Sequence, residues 1–180
     1  IYGHALYMPT PDGHLVALDV RSGRLLWDRA INAGAATSGL QLSSGPLAAR
    51  GVVMIGVSLG LASPGGCFIV ALDAGTGAER WRFQTVARPG TPGGDSWNGA
   101  PVEERYGAGV WTTGSYEPTL NLAYFGVGNT YTTATLLQPR PGASAVTDND
   151  GLFTDATLAL RPETGELVFD RTRFPQGATF

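Results

Sequence analysis

The sequence predicts an all-β chain built as a β-propeller of four-stranded antiparallel blades, about three of them within 180 residues. Three observations carry that expectation. First, one twelve-residue phrase occurs three times: VALDVRSGRLLW at 16–27, VALDAGTGAERW at 70–81 and LALRPETGELVF at 158–169. Second, the spacing suits blades: Asp73 follows Asp19 by 54 residues, and Arg161 follows Asp73 by 88, room for a further set of strands and a long loop. Third, apolar and polar residues alternate along the chain, and no convincing 3.6-residue period is found.

Each phrase reads as a hairpin. An alternating run ends in Ala-Leu, followed by Asp19, Asp73 or Arg161 at the turn. A Ser/Thr-Gly pair comes next, and the glycine supplies the positive φ that a tight turn requires. The second run ends in Trp27, Trp81 or Phe169, an aromatic placed to wedge between neighbouring blades. One hairpin is marginal alone, so repetition provides the neighbours that bury each apolar face. A β-sandwich with coincidental turns is the other architecture this pattern allows.

The strands expected in order are Ala5–Met8, His14–Asp19, Arg24–Arg29, Pro46–Ala49, Val52–Val57, Phe68–Asp73, Glu79–Gln84, Gly109–Thr113, Leu122–Val127, Thr157–Leu160 and Glu166–Asp170. Two segments read as loops. Ala87–Pro101 is rich in Gly and Pro, and its Asp95 and Trp97 are expected to shape it. The segment from Tyr131 to Asp150 is polar, and long enough to carry function or remain disordered.

Composition bounds the partners. With 26 Gly and 12 Pro, many tight turns are expected. A formal net charge of −3 makes no electrostatic case for nucleic acid or an anionic membrane. No apolar run approaches the roughly 20 residues of a bilayer-spanning helix. The chain opens at Ile1 in a strand-like run without a Met, as a mature fragment would. Cys67 is alone, within the apolar run GGCFIVALD, and reads as a small core residue. His4 and His14 read as surface or strand positions.

A second motif is more specific than the hairpins. GAGVWTTGSYEPTLNLAYFGVGNTY, Gly107 to Tyr131, contains Trp111, then Tyr116-Glu117-Pro118, then Gly126-Val127-Gly128-Asn129. With RPGTPGGDSWNG ahead of it, this resembles the quinoprotein alcohol dehydrogenases, particularly members like polyvinyl-alcohol dehydrogenase. These are periplasmic, eight-bladed propellers that bind pyrroloquinoline quinone (PQQ) and usually calcium. The resemblance implies that Trp111 forms the floor beneath the quinone, that the Asn129 amide oxygen ligates calcium, and that Ser43 and Ser58 hold the cofactor's polar edge. It implies a small or polymeric alcohol as substrate and a cytochrome c as electron acceptor. A large indole suits a flat ring system, and a hard cation suits an amide oxygen. Each residue also has a structural alternative: Trp111 as core, Asn129 as a turn residue, the two serines as turn or strand-end hydroxyls.

The resemblance breaks in two places. Leu61 or Ala62 stands where the family's calcium-binding Glu is expected. After Pro175, Gly177 stands near the expected catalytic Asp, so no catalytic residue is assigned. These departures keep a second reading open: a non-catalytic propeller serving as a structural or interaction subunit, meeting other chains at its open edges. An assembly-factor propeller would share the hairpins but would not account for Trp111 or GVGNTY.

Overall fold

The structure is a computed structural model, and it describes residues 1–31, 39–58, 66–131, 136–137 and 149–172. Leu61, Ala62, Pro175, Gly177 and most of the 131–150 loop lie outside the described residues. Eleven strands are described: β1 (Ala5–Pro9), β2 (His14–Asp19), β3 (Leu25–Ala30), β4 (Leu47–Ala49), β5 (Val52–Val57), β6 (Phe68–Asp73), β7 (Glu79–Gln84), β8 (Ser115–Glu117), β9 (Leu122–Gly126), β10 (Ala156–Leu160) and β11 (Leu167–Thr172). They form three antiparallel sheets, ordered β1-β2-β3, β4-β5-β6-β7 and β8-β9-β10-β11. This is a partial β-propeller of three blades.

The first sheet differs from the four-stranded expectation. It has three strands, and a single bridge, Tyr2 to Ala5, stands where Ala49 pairs with Val52 in the second sheet. A second difference concerns the eighth strand. It was expected at Gly109–Thr113 and is found at Ser115–Glu117. The run GVWTT alternates, but Val110 is fully buried against Gly56, where an added Cβ would stand 2.2 Å from Val110 Cγ1. Packing, not ladder pairing, fills that run.

The three hairpins superpose feature by feature. Each carries a bulge at the same place: Ala17/Leu18, Ala71/Leu72 and Ala159/Leu160. In each turn the Gly N–H (Gly23, Gly77, Gly165) donates to the carbonyl of Asp19, Asp73 or Arg161 at 2.8 Å. The glycines sit at φ 69°, 70° and 72°. Asp19 and Asp73 also accept through Oδ1 from Ser22 and Thr76, both backbone and hydroxyl.

Two of the three aromatics, Trp27 and Trp81, wedge between blades, while Phe169 is exposed. Trp27 Nε1 donates to Ala74 O of the second sheet at 3.1 Å, and Trp81 Nε1 donates to Pro162 O of the third at 2.7 Å. The receiving turn offers a glycine: a Cβ on Gly77 would lie 2.8 Å from the Trp27 ring, and one on Gly165 2.6 Å from the Trp81 ring. Two apolar layers lie beside these docks. Tyr7, Leu15, Val53, Ile55 and Val70 fill the first seam, and Met54, Ile69, Phe125, Leu158 and Leu160 fill the second. Each such buried side chain contributes about 1.5–3 kcal/mol. Cys67 is buried in the first layer, as expected.

Candidate functional site

The segment that joins the second and third sheets builds the site. Ala108 N–H donates to Asn129 O at 3.0 Å, and Gly128 N–H donates to Gly109 O at 2.9 Å. The two ends of the motif are thereby pinned side by side. Val110 N–H donates to Val57 O at 3.3 Å, which ties the pair to the second sheet.

With Val110 turned inward, Trp111 emerges on the open side and is 48% exposed. Its ring lies across two glycines. A Cβ on Gly128 would stand 2.2 Å from Trp111 Cη2 and Cζ3, and one on Gly109 would stand 3.2 Å from Cε3. Only a residue without Cβ lets an indole rest directly on the backbone there. Trp111 forms one wall of a cavity of about 570 Å³, with Tyr124, Gly126, Asn129, Asp155 and Thr157 among its other walls.

Asn129 lines this cavity and is exposed. Its Nδ2 donates to Thr130 O at 3.0 Å, which commits the amide nitrogen and leaves the oxygen outside that bond. Asp155 enters the same cavity from just ahead of β10. Its N–H donates to Gly128 O at 3.0 Å, and it holds φ 50°, a left-handed conformation that Asp tolerates better than most residues. Indole, amide and carboxylate are therefore all organised around Gly128.

The two serines separate. Ser58 bridges Gln41 through a pair of backbone hydrogen bonds, and its Oγ is buried without a partner among the described residues. That oxygen lies 2.9 Å from the point a Cβ on Gly109 would occupy, so hydroxyl and indole flank the same glycine. None of Ser43, Ser44 and Ser58 is among the cavity's walls, and Ser43 is exposed. Its neighbour Ser44 is 4% exposed, and its Oγ is likewise buried and unpaired among the described residues. The adjoining Gly45 N–H donates to Oγ1 of Thr113, itself a cavity wall, at 2.9 Å. Among the described residues the Ser44 and Ser58 hydroxyls therefore both keep their hydrogen-bonding capacity for a further polar partner.

Asp155, Ser44 and Thr113 were not singled out from sequence. Asp155 is a lone carboxylate before a strand, and nothing in its spacing links it to Asn129. Ser44 differs from Ser43 only by the inside–outside alternation of the chain. Trp97 is fully buried, and Nε1 donates to Leu152 O at 2.6 Å, which holds the 87–101 loop against the segment ahead of β10. His14 is a surface residue whose Nδ1 lies 2.6 Å from Asp28 Oδ1. Among the described residues no group of three His, Cys, Asp or Glu could hold a metal.

Comparison with known proteins adds the family. The PQQ family model, described as "Glucose/ethanol/alcohol dehydrogenase, beta-propeller domain", matches residues 29–171. The quinohemoprotein alcohol dehydrogenase ADH IIB of Pseudomonas putida is 32% identical over 94% of this chain and 25% of its own length. The dehydrogenase subunit of the alcohol dehydrogenase (quinone) of Gluconacetobacter polyoxogenes is 34% identical over 91% of this chain and 24% of its own. The solved structure of quinohemoprotein alcohol dehydrogenase ADHIIG from Pseudomonas putida HK5 superposes with a TM-score of 0.80, at 28% identity, over 99% of this chain and 26% of that one. The chain thus spans about a quarter of the length of these relatives.

Proposed function

This chain belongs to the glucose/ethanol/alcohol dehydrogenase β-propeller (PQQ) family, and on that premise we propose that it forms one side of the PQQ site of an alcohol dehydrogenase. The observation that carries the reading is the half-exposed Trp111 ring, laid on Gly109 and Gly128 as a wall of the 570 Å³ cavity. When bound, PQQ supplies the two-electron acceptor that alcohol oxidation needs.

The residues present fit the quinone. Trp111 offers a flat apolar face to a flat ring system. The missing side chains at Gly109 and Gly128 set how deep that face lies. Ser58 Oγ, buried beside Gly109 and unpaired among the described residues, is a donor for the cofactor's polar edge. In the second serine role the better candidate is Ser44, whose hydroxyl is buried, over the exposed Ser43. These groups bind and orient the cofactor; no general base is assigned among the described residues.

Calcium fits less well. Asn129 and Asp155 are two oxygen donors on one cavity, whereas calcium takes 6–8 oxygens. The chemistry proposed here therefore involves no calcium step. Asp155 places a carboxylate on the same cavity as the Asn129 amide.

The substrate class in this reading is an alcohol, small or polymeric. A cytochrome c as electron acceptor accords with relatives named quinohemoproteins, and a periplasmic location accords with the family resemblance. The scaffold reading is not favoured, because the relatives compared are dehydrogenases. The test is reconstitution of the full-length protein with PQQ. We expect quinone absorbance that co-purifies with the protein and alcohol-dependent dye reduction, both lost in Gly128→Val, where the new side chain displaces the indole. Absence of bound quinone in the wild-type protein would refute the reading.

A further inference from the structure

A second cavity, sharing no wall with the Trp111 site, opens at the outer rim of the seam between the second and third sheets. Its volume is about 230 Å³. Phe83 of β7, Phe153, Val86 and Leu167 of β11 make its walls apolar, and Phe83 and Phe153 pack at 5.4 Å between centroids. Arg82 and Arg88 stand at its edge.

The two arginines are not equivalent. Arg82 is neutralised by a two-point contact with Glu79, at 3.0 and 2.8 Å, and lies 4.0 Å over the Phe68 ring. Arg88 is half-buried, and its Nη2 donates to a neutral amide oxygen, Gln84 Oε1, at 2.8 Å. It forms no ion pair among the described residues. Behind it lies Arg105, 3% exposed, whose guanidinium donates to the carbonyls of Ala100 and Ala87. Burial lowers the pKa of both arginines, and for Arg105 the charge of Arg88 lowers it further. Two cations thus share a low-dielectric corner beside an apolar hollow, and the nearest acidic influence on Arg105 is Asp95, which is exposed. A half-buried charge facing a neutral amide leaves a deficit that an anion would cancel.

We propose that this rim cavity binds a small amphipathic carboxylate, of benzoate or hexanoate size, with the apolar body against Phe83, Phe153 and Leu167 and the carboxylate on Arg88. A planar guanidinium suits a carboxylate's two oxygens. The apolar walls offer nothing to the remaining oxygens of inorganic phosphate.

The experiment titrates the full chain with benzoate, benzyl alcohol and inorganic phosphate, following the Val86 and Leu167 methyl resonances. We expect benzoate to bind roughly tenfold more tightly than benzyl alcohol, the effect of one charge-assisted contact. Arg88→Gln should erase that preference, Arg88→Lys should retain part of it, and Arg82→Gln should leave it unchanged. Equal binding of benzoate and benzyl alcohol would overturn the proposal. So would phosphate competing as well as benzoate, no methyl shift with benzoate, or a preference that survives Arg88→Gln. Should Arg88→Gln fail to fold, Arg88→Lys decides: an unchanged affinity would remove the two-point contact from the proposal.

Discussion

The seam tryptophans and the cavity tryptophan are the same residue put to opposite uses. Trp27 and Trp81 each lie on a turn glycine of the next sheet and donate their N–H to a carbonyl there. Trp111 also lies on glycines, but those of its own motif, and its other face opens on a cavity. In both settings glycine lets an indole touch backbone. What differs is what covers the second face. In the seams it is protein, and the ring contributes to stability; at the site it is open space, and the ring is available to a ligand. The third hairpin makes the same point from another side. Phe169 occupies the docking position but has no N–H, and it is 44% exposed, with its ring 6.0 Å from that of Tyr124.

The largest test of this contrast is truncation of each indole. Trp81→Ala should cost about 3 kcal/mol, given that the ring is partly buried, whereas Trp111→Ala should cost less than about 0.5 kcal/mol. Thermal or denaturant unfolding of the two variants reads the difference, and equal losses would break the comparison. Turn glycines sharpen it. Gly77→Ala should cost about 2 kcal/mol, from a positive φ together with a clash on Trp27; Gly23→Ala has nothing within 4 Å of the new Cβ and should cost about 1 kcal/mol. Should the two glycines prove equal, the docking contact has no energetic weight.

Ligand affinity comes next. Trp111→Ala should weaken PQQ binding roughly tenfold and Trp111→Phe by less, as measured by equilibrium dialysis of the quinone. The smallest effect is on acid stability. Hydrogen bonds from the Thr76 backbone, then from its hydroxyl, hold the Asp73 carboxyl below its usual pKa, and the Ser22 hydroxyl does the same for Asp19. A carboxyl lowered in the folded state stabilises at pH above its unfolded value, and that contribution fades as pH falls below about 4. The third turn has Arg161 at this position and contributes nothing of the kind. Asp73→Asn should therefore flatten the fall in melting temperature between neutral and acid pH, while Arg161→Ala should leave it unchanged.

Ten of the eleven strands were legible because period-2 alternation and turn glycines are local properties. The eighth was misplaced because Gly109–Thr113 alternates for a tertiary reason: Val110 fills the hollow left by Gly56. Trp111 and Asn129 were legible through the motif at 107–131, and Ser58 through its position in the family resemblance; the structure puts the first two on one cavity and Ser58 Oγ beside Gly109. Ser43 was expected to hold the cofactor's edge; the structure leaves it exposed, and the buried hydroxyl is that of Ser44, next to the Gly45 that donates to Thr113. Asp155 was invisible, since it reaches Gly128 through a backbone bond between segments far apart in sequence.

The sequence by itself determined the hairpins, their turns and the recurrence that lets them stack, because these follow from alternation and backbone freedom within a dozen residues. Which indole became a seam and which a cavity wall was decided by tertiary structure alone. A side chain's second face is covered or left open by residues from another sheet, and no local pattern specifies what those residues will be.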